Sequence, residues 1–280
     1  MNKLPVELIS RINAIFTAAS GWVFGPVMRL PGWLSCAVLA GVTALFILVI
    51  YKYTSNQKAI RRIRNRIKVN LLAMRLYKDS LQVTLAAQWE LFKAGVALLV
   101  NSLVPLAVML MPMMMILAQL QSWYGYEPLA PGAEAVVTVQ LDSSESLSSV
   151  RIDSISGAHI VTGPVRIQSL YQVVWMIQAD ETGAGKITLK VNEEEFEKSL
   201  AIGNAQYTQI SPLRPGPKIT DVLLYPAERP FKTDSAVKSV AVGYPQRTWK
   251  TGITNSWMVD FFIMSCALAL LLKNVIKVSF

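Results

Sequence analysis

Histidine occurs once in the chain, as His159 in the stretch GAHIV, so a Ser-His-Asp triad or any imidazole base would have to be assembled around that residue. No metal-ligand spacing, phosphate loop or dinucleotide fingerprint is present. The run Glu193, Glu194 and Glu195 could gather a cation, but such a run reads more simply as a solvated turn. Cys36 and Cys266 both lie inside apolar runs, where a free cysteine packs as a small hydrophobe, and two cysteines make no disulfide framework. These residues assign no catalytic group, no metal ligand and no cofactor, and the expectation is a protein that is not an enzyme.

The apolar runs do carry uncharged polarity. Ser35, Cys36 and Thr43 stand in one run, Asn101, Ser102 and Gln119 in a second, and Asp260 with Ser265 in a third. Polar side chains at membrane depth face other helices or a water-filled cavity, because lipid cannot satisfy them. Interhelical hydrogen bonding and a hydrated groove are both open readings, and Asp260 is also readable as an interfacial residue. Met109, Met111, Met113, Met114 and Met115 suit either ordinary packing or a surface that accepts varied apolar partners.

The elements that hold these residues follow from hydropathy. Only 16% of the 280 residues are charged, against about 25% in an average soluble protein. Trp33 to Tyr51 carries no charge, and about 20 such residues cross a hydrocarbon core of about 30 Å. A second uncharged run spans 94–126 and is interrupted by Pro105 and Pro112, which predicts a kinked helix. A third, Trp257 to Leu272, ends at Lys273. Three transmembrane helices are expected, over 31–51, 94–124 and 256–273, with a tail at 274–280. No cleavable signal peptide is evident in the first twenty residues.

The net charge of +9 is unevenly placed. Residues 52–93 carry ten Lys or Arg against Asp79 and Glu90, whereas 127–255 carry twelve against fourteen acids. Basic loops next to a span stay in the cytoplasm, so 52–93 is expected inside and both the N-terminus and 125–255 outside, in a bacterial or archaeal plasma membrane. Within the basic loop, Ile60, Ile63, Ile67, Leu71, Met74, Leu81, Leu85 and Phe92 recur at steps of three and four. A reversal at Lys78, Asp79 and Ser80 then gives a coiled-coil-like hairpin of two antiparallel helices with facing apolar stripes. Its first arm presents Lys58, Arg61, Arg62, Arg64, Arg66 and Lys68, suited to anionic lipids or to ribosomal RNA and a nascent chain.

Leu4 to Ala19 reads as an amphipathic helix, with Leu8, Ile9, Ile12, Ile15, Phe16 and Ala19 on one face. The expectation for 1–30 is a helix lying on the outer membrane surface, with packing against the outer domain as the alternative. After Glu127-Pro128 the pattern turns to alternating strands, AVVTVQL, YQVVWMIQA, KITLKVN, FEKSLAI and AVKSVAVGY. They predict a small antiparallel sandwich, loosely immunoglobulin-like, with Trp175 in its core. The fold class is thus a membrane α-helical core, three transmembrane helices plus a cytoplasmic helical hairpin, with an inserted extracytoplasmic antiparallel β-sandwich domain.

The stretch YKYTSNQKAIRRIRNRIKVNLLAMRLYKDS after the first span, the helical return, VPLAVMLMPMMMILAQL in the second and YGYEPL beyond it together resemble the YidC/Oxa/Alb insertase superfamily, nearest its three-span, archaeal YidC-like branch. The resemblance covers Gly32 to Leu129 and Trp257 to Phe280. It implies spans that form a hydrophilic groove, a hairpin that receives substrate or ribosome, and no covalent chemistry. Many bacterial members carry an arginine in the first core span, and none lies between Trp33 and Tyr51. The expected function is a membrane protein insertase or assembly chaperone, its groove drawn from Ser35, Thr43, Asn101, Ser102 and Gln119, with Met113, Met114 and Met115 as an apolar slide. Its partners would be nascent or unfolded membrane protein segments, the ribosome, anionic lipids and other membrane subunits. The rivals are a membrane-anchored receptor or scaffold binding an envelope partner through the β-sandwich, and a channel or transporter subunit.

Overall fold

The computed structural model describes residues 11–276 apart from 12, 15–16, 19–20, 23, 78–80, 181–182, 192–193, 204–206 and 251. The chain divides into two compact units, one built from 1–35 and 114–257, the other from 36–113 and 258–280.

The helical unit rests, among the described residues, on four helices. α1 (Gly32–Thr54) ends at Ser55, and Asn56 starts the next helix by accepting a hydrogen bond from the Ala59 N–H at 3.1 Å. α2 (Gln57–Leu76) leads through the connection at 77–80 into α3 (Leu81–Tyr124), and α5 (Trp257–Ile276) closes the chain. The reversal expected at Lys78 to Ser80 lies outside the described residues. α3 differs from expectation in extent: return arm and second span are one helix of 44 residues that contains both Pro105 and Pro112. At 1.5 Å per residue it is about 66 Å long, roughly twice the hydrocarbon thickness.

α1 and α3 are the two helices long and apolar enough to cross a membrane among the described residues. α1 turns Cys36, Leu39, Ala40, Thr43, Ala44 and Leu48 inward at steps of three and four. α5 answers with Asp260, Phe261 and Ser265, and a Cβ at Gly41 would meet Leu268 Cδ1 at 3.5 Å. A small residue therefore sets the close approach of α1 and α5. In the hairpin the inward stripe is narrower than predicted. Ile60, Ile63, Ile67 and Met74 are buried or half-buried, whereas Leu71, Leu85 and Phe92 are exposed.

The β-unit holds eight strands among the described residues. β1 (Glu134–Leu141), β3 (Ala158–Ile167), β4 (Gln172–Ala179), β7 (Leu213–Arg214) and β8 (Val237–Val242) form an antiparallel sheet in the order β3-β4-β1-β8-β7. β2 (Arg151–Ser156), β5 (Gly183–Val191) and β6 (Glu194–Ile202) form a second, in the order β2-β5-β6. The central strand β1 places Val137 opposite both Trp175 and Val242. Val137, Val139, Val173, Trp175 and Ile177 of the larger sheet share one core with Ile187, Leu189, Leu200 and Ile202 of the smaller. This is the two-layer arrangement the alternating stretches predicted. Three strands escaped the pattern. β2 and β3 are mostly exposed, so no inward alternation marks them, and β7 has two residues. Glu194 and Glu195 belong to β6 rather than to a solvated turn, and Glu195 accepts from Lys190 Nζ at 3.0 Å. Glu193 lies outside the described residues.

The described residues of the N-terminal segment pack on the β-unit, the alternative weighed for it: Asn13 Nδ2 donates to Val222 O at 2.5 Å, next to the short helix α4 (Ile219–Leu224). Thr17 Oγ1 donates to Pro226 O at 3.1 Å, and Phe24 packs edge-on against Trp123 with centroids 6.4 Å apart. Asn13 is 4% exposed. Leu4, Glu7, Leu8, Ile9, Ile12, Ile15, Phe16 and Ala19 lie outside the described residues.

Candidate functional site

The residues proposed for a groove separate into three groups. Ser35 is fully buried; its hydroxyl donates to Gly32 O at 2.9 Å and accepts from Tyr124 Oη at 2.8 Å. Gln119, also buried, donates to Thr17 Oγ1 at 2.6 Å and accepts from Gln209 Nε2 at 3.4 Å. Both hold the base of the β-unit together and face no opening. Asn101 and Ser102 are half-buried and return their donors to their own helix, at Ala97 O (2.7 Å) and Leu98 O (2.9 Å), as polar residues in apolar helices commonly do. Thr43 is buried on α1. Met113 and Met115 are half-buried and Met114 is exposed.

Tyr124, at the C-terminal end of α3, is the hub of that base. Its ring stacks on Trp257 with centroids 5.8 Å apart and meets Trp249 and Tyr207 edge-on at 5.6 and 5.4 Å. Such aromatic pairs add about 0.5–1.5 kcal/mol each beyond burial. The start of α1, the end of α3 and the start of α5 thus meet on one side chain. Asp260, expected near the headgroups, is fully buried one turn further along α5, and Ser265 is buried behind it.

The basic arm keeps the predicted layout. Lys58, Arg61, Arg62, Arg66 and Lys68 are exposed on α2 and Arg64 is half-buried. On the other arm of the hairpin Lys93 pairs with Glu90, three residues back on the same helix, at 2.8 Å and sits 5.8 Å from the Trp89 ring centroid. The Lys93 ammonium holds the Glu90 carboxyl below its ordinary value.

A charged cluster that the sequence reading missed lies at the edge of β6. Lys198 is wholly enclosed and donates to Glu228 Oε2 at 2.7 Å and to Ser211 O at 2.6 Å. Glu228 in turn accepts from Ser199 N–H at 2.8 Å, from the Ser199 hydroxyl, and from Ser211 Oγ at 3.0 Å. Burial works to raise the Glu228 carboxyl, but Lys198 and the Ser199 donors outweigh it and hold the group below its ordinary value. Burial lowers Lys198 against the pull of Glu228. Arg214 donates to Glu197 O and lies 4.3 Å from the Phe231 ring centroid, while Ala201 N–H donates to Tyr244 Oη at 2.9 Å. Leu129 completes the row by exchanging hydrogen bonds with Ala201 O and Gly203 N–H. Outward-facing backbone groups of Glu197, Ser199, Ala201 and Gly203 are thereby closed, which removes a sheet edge as a template for another strand.

Beside this seal lies a cavity of about 510 Å³ lined by Pro128, Gly185, Ser199, Ala201, Gln209 and Tyr244 among others. A second opening of about 480 Å³ shares Ala184, Gly185 and Ser199 with it and is rimmed by Lys186, Glu197, Arg214 and Glu228. Both fall within the size range of small-ligand sites. His159 is exposed and bonds Asp180 at 2.6 Å, and no group of metal-binding side chains occurs among the described residues. What these features define is an antiparallel β-unit with a sealed edge, carried on a chain with long apolar helices. Compared with known protein families, curated proteins and solved structures, the chain matches none.

Proposed function

We propose that the chain is an integral membrane protein with three spans, α1, the apolar part of α3, and α5, and that it acts as an insertase or assembly chaperone for other membrane proteins. The hairpin faces the cytoplasm and the β-unit the outside, by the distribution of Lys and Arg. The observation that carries the reading is α3 itself: a single helix that serves as hairpin arm and as span, with only 11% of its most apolar stretch buried. A surface this apolar calls for lipid or an apolar client along its length. Asn101 and Ser102, with Thr43 on α1, supply the polar notch, and Met113 to Met115 an adaptable wall. A notch of this kind lowers the barrier for a client's hydrophilic flank, which otherwise costs about 2.5–3.5 kcal/mol per charge at mid-membrane. Photocrosslinkers at Asn101 and Met114 should capture apolar nascent segments, and depletion should delay insertion of short-tailed membrane proteins. Absence of both effects ends the proposal.

The 510 Å³ cavity favours a second reading, a receptor or scaffold whose β-unit takes an envelope ligand. Ala184→Trp and Ala201→Trp would fill that cavity from its wall. Loss of function with those substitutions, and none with substitutions at Asn101 and Met114, selects the receptor.

A further inference from the structure

The base of the hairpin carries a cationic collar whose level along the chain can be fixed. α2 and α3 follow one another with only 77–80 between them, a spacing that favours antiparallel neighbours. Equal steps from Leu76 and Leu81 set Ile60 level with Ala97, Ile63 with Ala94 and Ile67 with Glu90, and Ile60, Ile63, Ile67, Ala94 and Ala97 are buried or half-buried. Arg66 lies within electrostatic reach of Glu90, as this register requires. Lys58, Arg61, Arg62 and Arg66, all exposed, therefore stand around the level of Lys93. Lys93 is the last charged residue of α3 before the uncharged run of 94–126.

A second feature marks the same plane. Trp89 and Phe92 are stacked at 5.6 Å and expose 59% and 62% of their surfaces, with Lys93 over the Trp89 ring. Exposed Trp beside Lys, where a charged helix becomes apolar, is the signature of a headgroup layer. Beyond the collar, toward the connection, α2 turns outward mostly apolar side chains, Val69, Leu71, Leu72 and Leu76, with Lys68 and Arg75 as its two exposed cations.

We infer that the collar formed by Lys58, Arg61, Arg62 and Arg66 is a binding surface for anionic phospholipid headgroups, in the plane marked by Trp89 and Lys93. The inference rests on the reading that α1 and α3 cross the bilayer. Long basic side chains lay their stems on apolar surface and reach phosphodiesters with their heads. Each is worth about fivefold in affinity near an anionic surface.

The test uses the full chain in nanodiscs of phosphatidylcholine with phosphatidylglycerol as the anionic component. Phosphatidylglycerol retained per protein is read by mass spectrometry after detergent extraction. The triple variant Arg61→Gln, Arg62→Gln, Arg66→Gln should retain at least about tenfold less. The corresponding triple Lys variant should retain as much as the parent, because charge and not fork geometry is read. Arg75→Gln, near the far end of α2, should change nothing and controls for folding. Equal retention by the Gln and parent proteins overturns the inference, as does co-purifying RNA that the Gln variant loses while its lipid is unchanged. Extraction of the parent protein from membranes by alkaline wash would instead defeat the membrane-spanning reading beneath it.

Discussion

Lys198→Met is the sharpest perturbation of the β-unit. Lys198 is fully enclosed and Glu228 keeps 15% of its side-chain surface. The substitution fills the volume with an apolar chain of similar length but strips Glu228 of its countercharge and leaves Ser211 O without its 2.6 Å donor. Breaking a buried ion pair from one side costs about 3–5 kcal/mol, because the orphaned charge stays behind. At roughly 4 °C per kcal/mol for a unit of this size, the melting point of the β-unit falls by about 12–20 °C. The double variant Lys198→Met, Glu228→Met removes both charges, and paired replacement of buried ions by apolar groups is about neutral or stabilising by 1–4 kcal/mol. Ser199 N–H loses its carboxylate acceptor in that variant, but Ser199 is exposed and water takes the place. The double variant should therefore regain most of the loss. Urea unfolding followed through hydrogen exchange of the β4 amides around buried Trp175 reads both. A single variant that costs under about 1 kcal/mol, or a double variant as unstable as the single, refutes the claim that uncompensated burial of Glu228 dominates.

Other perturbations follow from the same contacts. The folded Glu228 lies below its ordinary value, so its contribution is complete above the unfolded value of about 4.3 and fades as pH falls through the lower folded one; a melting series from pH 7 to pH 3 should show this loss, reduced in Glu228→Gln. Tyr124→Phe deletes the hydrogen bond to Ser35 and should cost about 1 kcal/mol, since Ser35 keeps its bond to Gly32 O. Tyr124→Ala should cost about 3–5 kcal/mol by emptying the centre of the aromatic group, and calorimetry separates the two. Gly41→Leu would drive α1 into Leu268 and should lower extraction-resistant thermal stability, whereas Gly41→Ala fits at 3.5 Å.

Several parts of the fold were legible in the sequence for physical reasons. Half-buried strands such as QVVWMIQA and EAVVTVQL alternate because one face meets the core, and their burial alternates as read. β2 and β3 show no such contrast, and Gly163-Pro164 inside β3 argued against a strand that its edge position tolerates. α3 was divided in expectation because a polar hairpin arm and an apolar span look like separate elements, yet nothing in Leu81 to Tyr124 caps a helix midway. Lys198 did leave a trace. In FEKSLAI the alternation that turns Phe196, Leu200 and Ile202 inward turns Lys198 inward too, and a lysine on the core face of a strand demands a partner. The identity of that partner, 30 residues away in a loop, had no local signal. The same non-locality hid the joint of Ser35, Tyr124 and Trp257, whose members are far apart in sequence and unremarkable singly.

That joint bears on how the two functional readings are separated. Deleting Glu134 to Lys250 looks like a clean way to ask whether the β-unit matters. Such a deletion also removes Trp249 and Tyr207 from the Tyr124 ring and Gln209 from Gln119, exposing a fully buried tyrosine at the end of α3. Insertion lost on deletion would then report a disturbed helix terminus as readily as a lost receptor. Substitutions at Ala184 and Ala201 avoid this ambiguity, because both line the cavity while Lys198, Leu200 and Ile202 hold the core and the Ser199 hydroxyl keeps its bond to Glu228. A Trp at either position that leaves the Trp175 unfolding transition in place tests the cavity alone. Activity that survives such a filled cavity assigns the work of the protein to its helices.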